Sequence, residues 1–241
     1  MSGTASRTLE EATARAFLLA WLARAFAYPR ADRVASLRAG AEDLARTLRL
    51  LELPAEPELP RVLEGAEGRL PELQGLYNRL FVTALEVPIT ETAYELDKTA
   101  RRAAELADIQ GFHRAFGLRV GAPLEPDHLV AELDFLSALM QKLVHFHDVG
   151  DEEGLAVVER AYRAFLEDHL GRWYEIFCDR LEQATEDPWY RIPARMLRAF
   201  LDAELRLLDL APQRLTRYVG QPPSASTWPC GAGPGACPSP S

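Results

Sequence analysis

Cysteine is scarce in this chain, three among 241 residues. Three cannot build a disulfide framework, which excludes the small stapled secreted folds. Cys178, in "WYEIFC", falls among apolar residues and reads as a reduced core thiol. Cys230 and Cys237 form a C-x6-C pair with no histidine nearby. Two ligands fall short of a closed zinc site, so an inert tail is favoured over metal binding or a redox-sensitive disulfide. Long apolar runs are missing too. The most apolar early stretch, "AFLLAWLA" at 16–23, lies between Arg15 and Arg24 and is shorter than the about 20 residues a bilayer span requires. It follows Glu10 and Glu11, whereas a secretory leader begins with a basic segment. The expectation is a cytoplasmic protein without membrane insertion.

Positive charge is also in deficit, with 27 Lys plus Arg against 36 Asp plus Glu and a net charge of −9. Such a surface repels phosphate backbones, and no local basic patch offsets it, so nucleic acid is excluded as a partner. Basic partners are favoured instead. The motifs of common chemistry are lacking as well. There is no H-E-x-x-H, no pair of E-x-x-H segments, no G-x-S-x-G elbow, no P-loop and no G-x-G-x-x-G. The expectation is a protein that is no enzyme and holds no metal or cofactor of its own.

What is abundant is helical periodicity. Apolar residues make up 48% of the chain and recur at three- and four-residue intervals, with no sustained alternation of the kind strands show. The spacing predicts an all-α, compact single domain of about eight helices over residues 1–209. The first helix carries Phe17, Trp21 and Ala25 on one face and stops before Pro29. A second spans about 32–51 and a third about 60–85, kinked or divided at Pro71. A fourth, about 92–116, closes at Gly117. A fifth starts near Pro126, and further helices cover about 151–169, 171–184 and 188–208. From 210 to 241 the chain turns to Pro, Gly and Ser ("QPPSASTWPCGAGPGACPSPS") and reads as a disordered tail.

Two stretches carry the candidate chemistry. "EPDHLVAEL" at 125–133 sets His128 and Glu132 one helical turn apart, with Asp127 and Glu125 beside them. An imidazole beside carboxylates tunes proton transfer, binds a divalent metal or clamps a cationic group. Ordinary capping, with Asp127 at the positive end of the helix, is the plain alternative. "LYNRLFVTALEVPITETAYE" at 76–95 groups Tyr77, Leu80 and Phe81 ahead of Pro88 and the carboxylates Glu86, Glu91 and Glu95. Core packing explains the apolar trio. A groove wall with an acidic rim, suited to a peptide with apolar and arginine side chains, is the functional alternative.

Taken in order, these segments resemble the TorD/DmsD/NarJ family of redox-enzyme maturation chaperones. The family's Y/W-x-x-L-F segment is similar to Tyr77, Leu80 and Phe81. Its proline-and-glutamate loop is similar to Pro88, Glu91, Thr92 and Tyr94, and its E-x-D-H-x-x-x-E-L segment to Glu125, Asp127, His128, Glu132 and Leu133. "LADIQGFHRAFGL" at 106–118 and "FLEDHLGRW" at 165–173 add to the likeness, which covers about residues 10–205. One departure stands in the loop, where Ile89 and Thr90 replace a proline and an aromatic common in the family.

The resemblance implies a chaperone that binds the apo catalytic subunit of a dimethylsulfoxide-reductase-family molybdoenzyme, or its twin-arginine signal peptide. It holds that client until the client's bis-molybdopterin guanine dinucleotide is inserted. GTP binding, proposed for relatives, has no nucleotide loop here to support it. The implied site is Tyr77, Leu80 and Phe81 for apolar contact, Pro88 for loop shape, and Glu91, Asp127, His128 and Glu132 for polar contact. A monomer or a domain-swapped dimer is expected, with loops 86–92 and 117–125 as hinges. Two rivals stand beside this reading, a helical metalloenzyme using His128 and Glu132 and a generic acidic helical adaptor.

Overall fold

Helix α1 (Ser2–Phe26) runs through the core rather than along its surface. Leu18, Leu19, Leu22 and Phe26 are wholly buried in addition to the expected Trp21 and Ala25, so more than one face is covered. The structure, a computed structural model, describes residues 2–94, 99–121 and 124–218. Glu95 and the stretch 219–241, with Cys230 and Cys237, lie outside the described residues.

The order continues with α2 (Ala31–Ala39), α3 (Ala41–Leu50), α4 (Leu59–Ala66), α5 (Leu70–Tyr77), α6 (Thr99–Ala115), α7 (Leu129–Val149), α8 (Glu152–Phe165), α9 (Gly171–Ala184) and α10 (Pro188–Leu207). No strand occurs among the described residues, only two isolated β-bridges. The protein is all-α. Short 3-10 and π segments splice α4 to α5, extend α5 to Thr83 and join α8 to α9, so the ten α-helices form about eight continuous rods. α1 packs along α7, α7 against α8, and α9 against α10. Ser137 Oγ donates to the Ala16 carbonyl at 2.8 Å, tying α7 to α1 by a buried polar contact. No helix among the described residues is long and apolar enough to cross a membrane.

Local differences from the expected boundaries have physical causes. The helix expected over 32–51 is cut at Gly40, which ends α2 and begins α3 beneath Phe17 and Trp21. Pro71 occupies the first turn of α5, where its missing N–H leaves no intrahelical bond unmade. Gly117 and Gly150 close α6 and α7 at φ +70, a conformation glycine reaches without a Cβ penalty. Cys178 is fully buried, and burial pushes its thiol far above the ordinary range.

The chain expected to be a free tail from 210 packs back as far as Tyr218. Leu215 is buried and its N–H donates to the Arg172 carbonyl at 2.8 Å. Tyr218 pairs in an antiparallel bridge with Tyr94.

Two stretches of π-helix, Asn78–Thr83 and Leu166–Leu170, stand out. In the second, the Gly171 N–H bonds back five residues to the Leu166 carbonyl. A Cβ on Gly171 would lie 2.0 Å from that oxygen, so only glycine fits. π turns are rare and concentrate at functional sites.

Candidate functional site

Loop 84–94 is the element that gathers the site. Leu85, at φ 49, is a non-glycine residue in left-handed conformation that turns the chain out of the first π segment. The loop then lies along the entry to α7. The Leu129 N–H donates to the Ile89 carbonyl at 3.0 Å, and the Glu91 N–H donates to the Asp127 carbonyl at 2.9 Å. Thr90 and His128 form the bridge between them. Asp127 adds its carboxylate, whose Oδ2 accepts from Thr92 Oγ1 at 2.5 Å and from the Thr92 N–H at 3.2 Å. The far side of the loop is held by Arg180, which donates to the Glu86 carbonyl at 2.7 Å and stacks on Tyr218.

His128, not Asp127, caps α7. Its Nδ1 accepts from the Val130 N–H at 3.1 Å, and burial lowers its pKa to about 4, so it caps as a neutral ring. Glu132 does not pair with His128. Its Oε2 accepts from Trp173 Nε1 at 3.1 Å, while Oε1 is buried without a partner. Burial, then the neighbouring Glu91 and Asp127, hold the Glu132 carboxyl well above the usual carboxylate range.

Glu91 is fully buried between the loop and the second π segment. His169 Nδ1 stands 3.3 Å from its Oε2, and Arg172 donates to its Oε1 at 3.4 Å and to Glu105 Oε1 at 2.6 Å. Burial pushes the Glu91 pKa up to about 7 despite the contact with His169 and the charge of Arg172. Two buried carboxyl groups, Glu91 and Glu132, therefore face each other and ionise one at a time, as closely placed acids do.

The apolar trio sits in an aromatic cluster. Tyr77 meets Tyr28 and Phe81 edge-on at 5.2 and 5.1 Å, and Phe81 meets Tyr190 at 5.3 Å. Leu80 is wholly buried. Pro88 is buried as well, its carbonyl accepting from the Tyr94 hydroxyl at 2.7 Å. All eight residues singled out in the sequence are thus interior. They divide into an aromatic group (Tyr77, Leu80, Phe81) and a polar group (Glu91, Asp127, His128, Glu132), with Pro88 in the loop between. The exposed groups beside them are Tyr28 and Val82 on the apolar side and Asp108, Glu125 and Asp168 on the acidic side.

Glu105, His169, Arg172 and Trp173 complete the polar group and were not singled out from the sequence. Glu91, Glu105 and His169 are the set among the described residues whose ligand atoms converge as metal donors do. His128 and Glu132, the pair of the metalloenzyme alternative, are not in that set. His128 Nδ1 is committed to the helix cap and Glu132 Oε2 to Trp173.

The profile of a family described as nitrate reductase delta subunit matches residues 34–179, more than half of the chain and every site segment. The chain belongs to that family. Among curated proteins none matches this delta-subunit family member. Among solved structures, a candidate redox enzyme maturation protein from Archaeoglobus fulgidus is similar at 20% sequence identity and a TM-score of 0.51, covering 78% of this chain and 93% of that one. At that identity the likeness concerns the fold.

Proposed function

We propose that this delta-subunit family member is a cytoplasmic assembly chaperone of the TorD/DmsD/NarJ kind, without catalytic activity of its own. Its client is the apo catalytic subunit of a dimethylsulfoxide-reductase-family molybdoenzyme, held directly or through a twin-arginine signal peptide until cofactor insertion. The observation that carries the reading is the carboxyl excess around loop 84–94. Glu91, Glu105, Asp108, Asp127 and Glu132 gather there, with Arg172 on Glu91 and Glu105 and Arg180 turned to the Glu86 carbonyl. Arginine side chains of a client complement that excess, and bidentate guanidinium–carboxylate pairing adds geometric selection. Exposed Tyr28 and Val82 extend the aromatic cluster to the surface, where they suit an apolar peptide segment.

In this reading Asp127 and His128 shape the loop, and the exposed Glu125 and Asp168 meet the client first. The test is capture of a synthetic twin-arginine signal peptide, and of the apo-subunit, by the purified full chain. Asp127→Ala with His128→Ala is expected to weaken capture at least tenfold with helical content retained. Glu125→Gln with Asp168→Asn is expected to slow association and to reduce its salt dependence. Undiminished capture by both variants would sink the site assignment.

A further inference from the structure

The contacts of His169 carry an observation that client binding does not use. Its ring is 1% exposed, yet Nε2 has no hydrogen-bond partner, although Asp108 Oδ2 stands 3.4 Å away. Nδ1 faces two carboxylate oxygens at once, Glu91 Oε2 at 3.3 Å and Glu105 Oε1 at 3.7 Å. Both separations exceed the about 2.8 Å of a charge-assisted hydrogen bond. They bracket the about 3.4 Å that separates two donors sharing a tetrahedral ion at roughly 2.1 Å. A carboxylate beside the outer nitrogen is also how ligating histidines are held, since it fixes the proton there and frees the inner lone pair. That lone pair then points at the two carboxyl oxygens, where a divalent cation would be the shared third partner. Against Glu91 lies a further buried carboxylate oxygen, Glu132 Oε1, without a partner.

We propose that Glu91 Oε2, Glu105 Oε1 and His169 Nδ1 form a binding site for one divalent transition-metal ion of the zinc class. Asp108 is the outer partner of the histidine. The N,O,O donor set suits such an ion, which needs no thiolate. Glu105 and the exposed Asp108 give it a path from solvent. The ion would join α6, loop 84–94 and the second π segment at one point. Arg172 is its built-in competitor, because the guanidinium already sits on Glu91 and Glu105. The site shares Glu91, Glu105 and Asp108 with the acidic group of the proposed client reading, but its test needs no client.

The experiment is calorimetric titration of Zn2+ into full-length, chelator-stripped protein, with a competing chelator present. Cys230→Ser and Cys237→Ser in the parent keep thiols from contributing. One ion per chain is expected. Glu105→Gln, at a half-buried position, should weaken binding at least tenfold, while Arg172→Gln should tighten it by removing the competitor. His169→Asn should abolish it, with circular dichroism reporting whether the fold survives. Absence of binding in the parent would overturn the proposal. Binding unchanged by Glu105→Gln in a folded protein would do the same.

Discussion

Two buried ionic clusters in this molecule are built from similar side chains and balanced in opposite ways. In the first, Arg15 Nε donates to Glu204 Oε1 at 2.7 Å and the Tyr162 hydroxyl donates to Oε2 at 2.9 Å. Glu204 meets one base and one hydroxyl, Arg15 also reaches Glu11 at 3.5 Å, and α1, α8 and α10 are stapled together with no buried polar atom of Arg15, Tyr162 or Glu204 left over. In the second, around Glu91, the acids outnumber the bases, and Asp127 Oδ1, Glu132 Oε1 and His169 Nε2 lack partners. Burying unpaired polar groups is costly, so a chain that retains them does so for something other than stability. The first cluster holds the fold, and the second is arranged to accept positive charge.

The largest test of that contrast is Glu204→Ala. It leaves the largely buried Arg15 with the longer 3.5 Å contact to Glu11 and should cost about 4 kcal/mol, read from chemical denaturation. A loss under about 1 kcal/mol would remove the distinction between the clusters.

The next effect is a pair of opposed pH dependences. The Glu91 pKa is raised from 4.5 to about 7, so the folded state holds a proton that the unfolded state releases. Stability therefore falls as pH climbs through that window. The His128 pKa is lowered from 6.5 to about 4, so the unfolded state takes the proton first and stability rises as pH climbs from about 4 to 6.5. Each shift is worth about 3 kcal/mol, and the two oppose one another. Glu91→Gln should expose the rise, and His128→Asn, which keeps a capping oxygen, should expose the fall. Denaturation midpoints between pH 4 and 8 in chelating buffer check both, and slopes of equal sign would contradict the assignment.

Gly171→Ala comes third, at about 2 kcal/mol, because its Cβ cannot coexist with the Leu166 carbonyl and the π turn must rearrange. It should also lower Zn2+ affinity by displacing His169. Glu132→Gln is the smallest. The amide keeps the Trp173 contact and gives Glu91 a donor, so at pH 8 stability should stay level or rise by up to about 1 kcal/mol. That outcome is opposite in sign to the loss of Glu204. A marked destabilisation would show that the second cluster is structural after all.

Most of the rods were legible in the sequence because helix periodicity is a local property. Pro29 and Gly117 stop helices through their own backbone preferences, wherever the rest of the chain goes. The break at Gly40 was not legible, since it depends on Phe17 and Trp21 lying under that turn. Neither π segment was legible, because an extra residue in a helical turn leaves no compositional trace. "EPDHLVAEL" and "VPITETAYE" each signalled chemistry, and the structure latches the two together through Asp127 and Thr92. Their burial was not visible, because polar residues at helix starts and in loops read as surface. Glu105 and His169 were missed for the same reason. Each is one polar residue on a helix, and only the tertiary fold brings them to Glu91. "FLEDHLGRW" did contain the signal, with His169 and Trp173 four residues apart and Arg172 between them.

The second π segment bears on how the length of this chain can vary. A helix in which one turn bonds five residues back has taken in a residue without breaking. Deleting one residue from 166–170 would thus restore an unbroken α-helix and leave helical content unchanged. Everything beyond it would turn by about 100° relative to α8. Arg172 and Trp173 would leave Glu91 and Glu132 and face elsewhere. A chain shorter by that one residue would keep its helices and lose its site, so sequence length at this point is as informative as any single side chain.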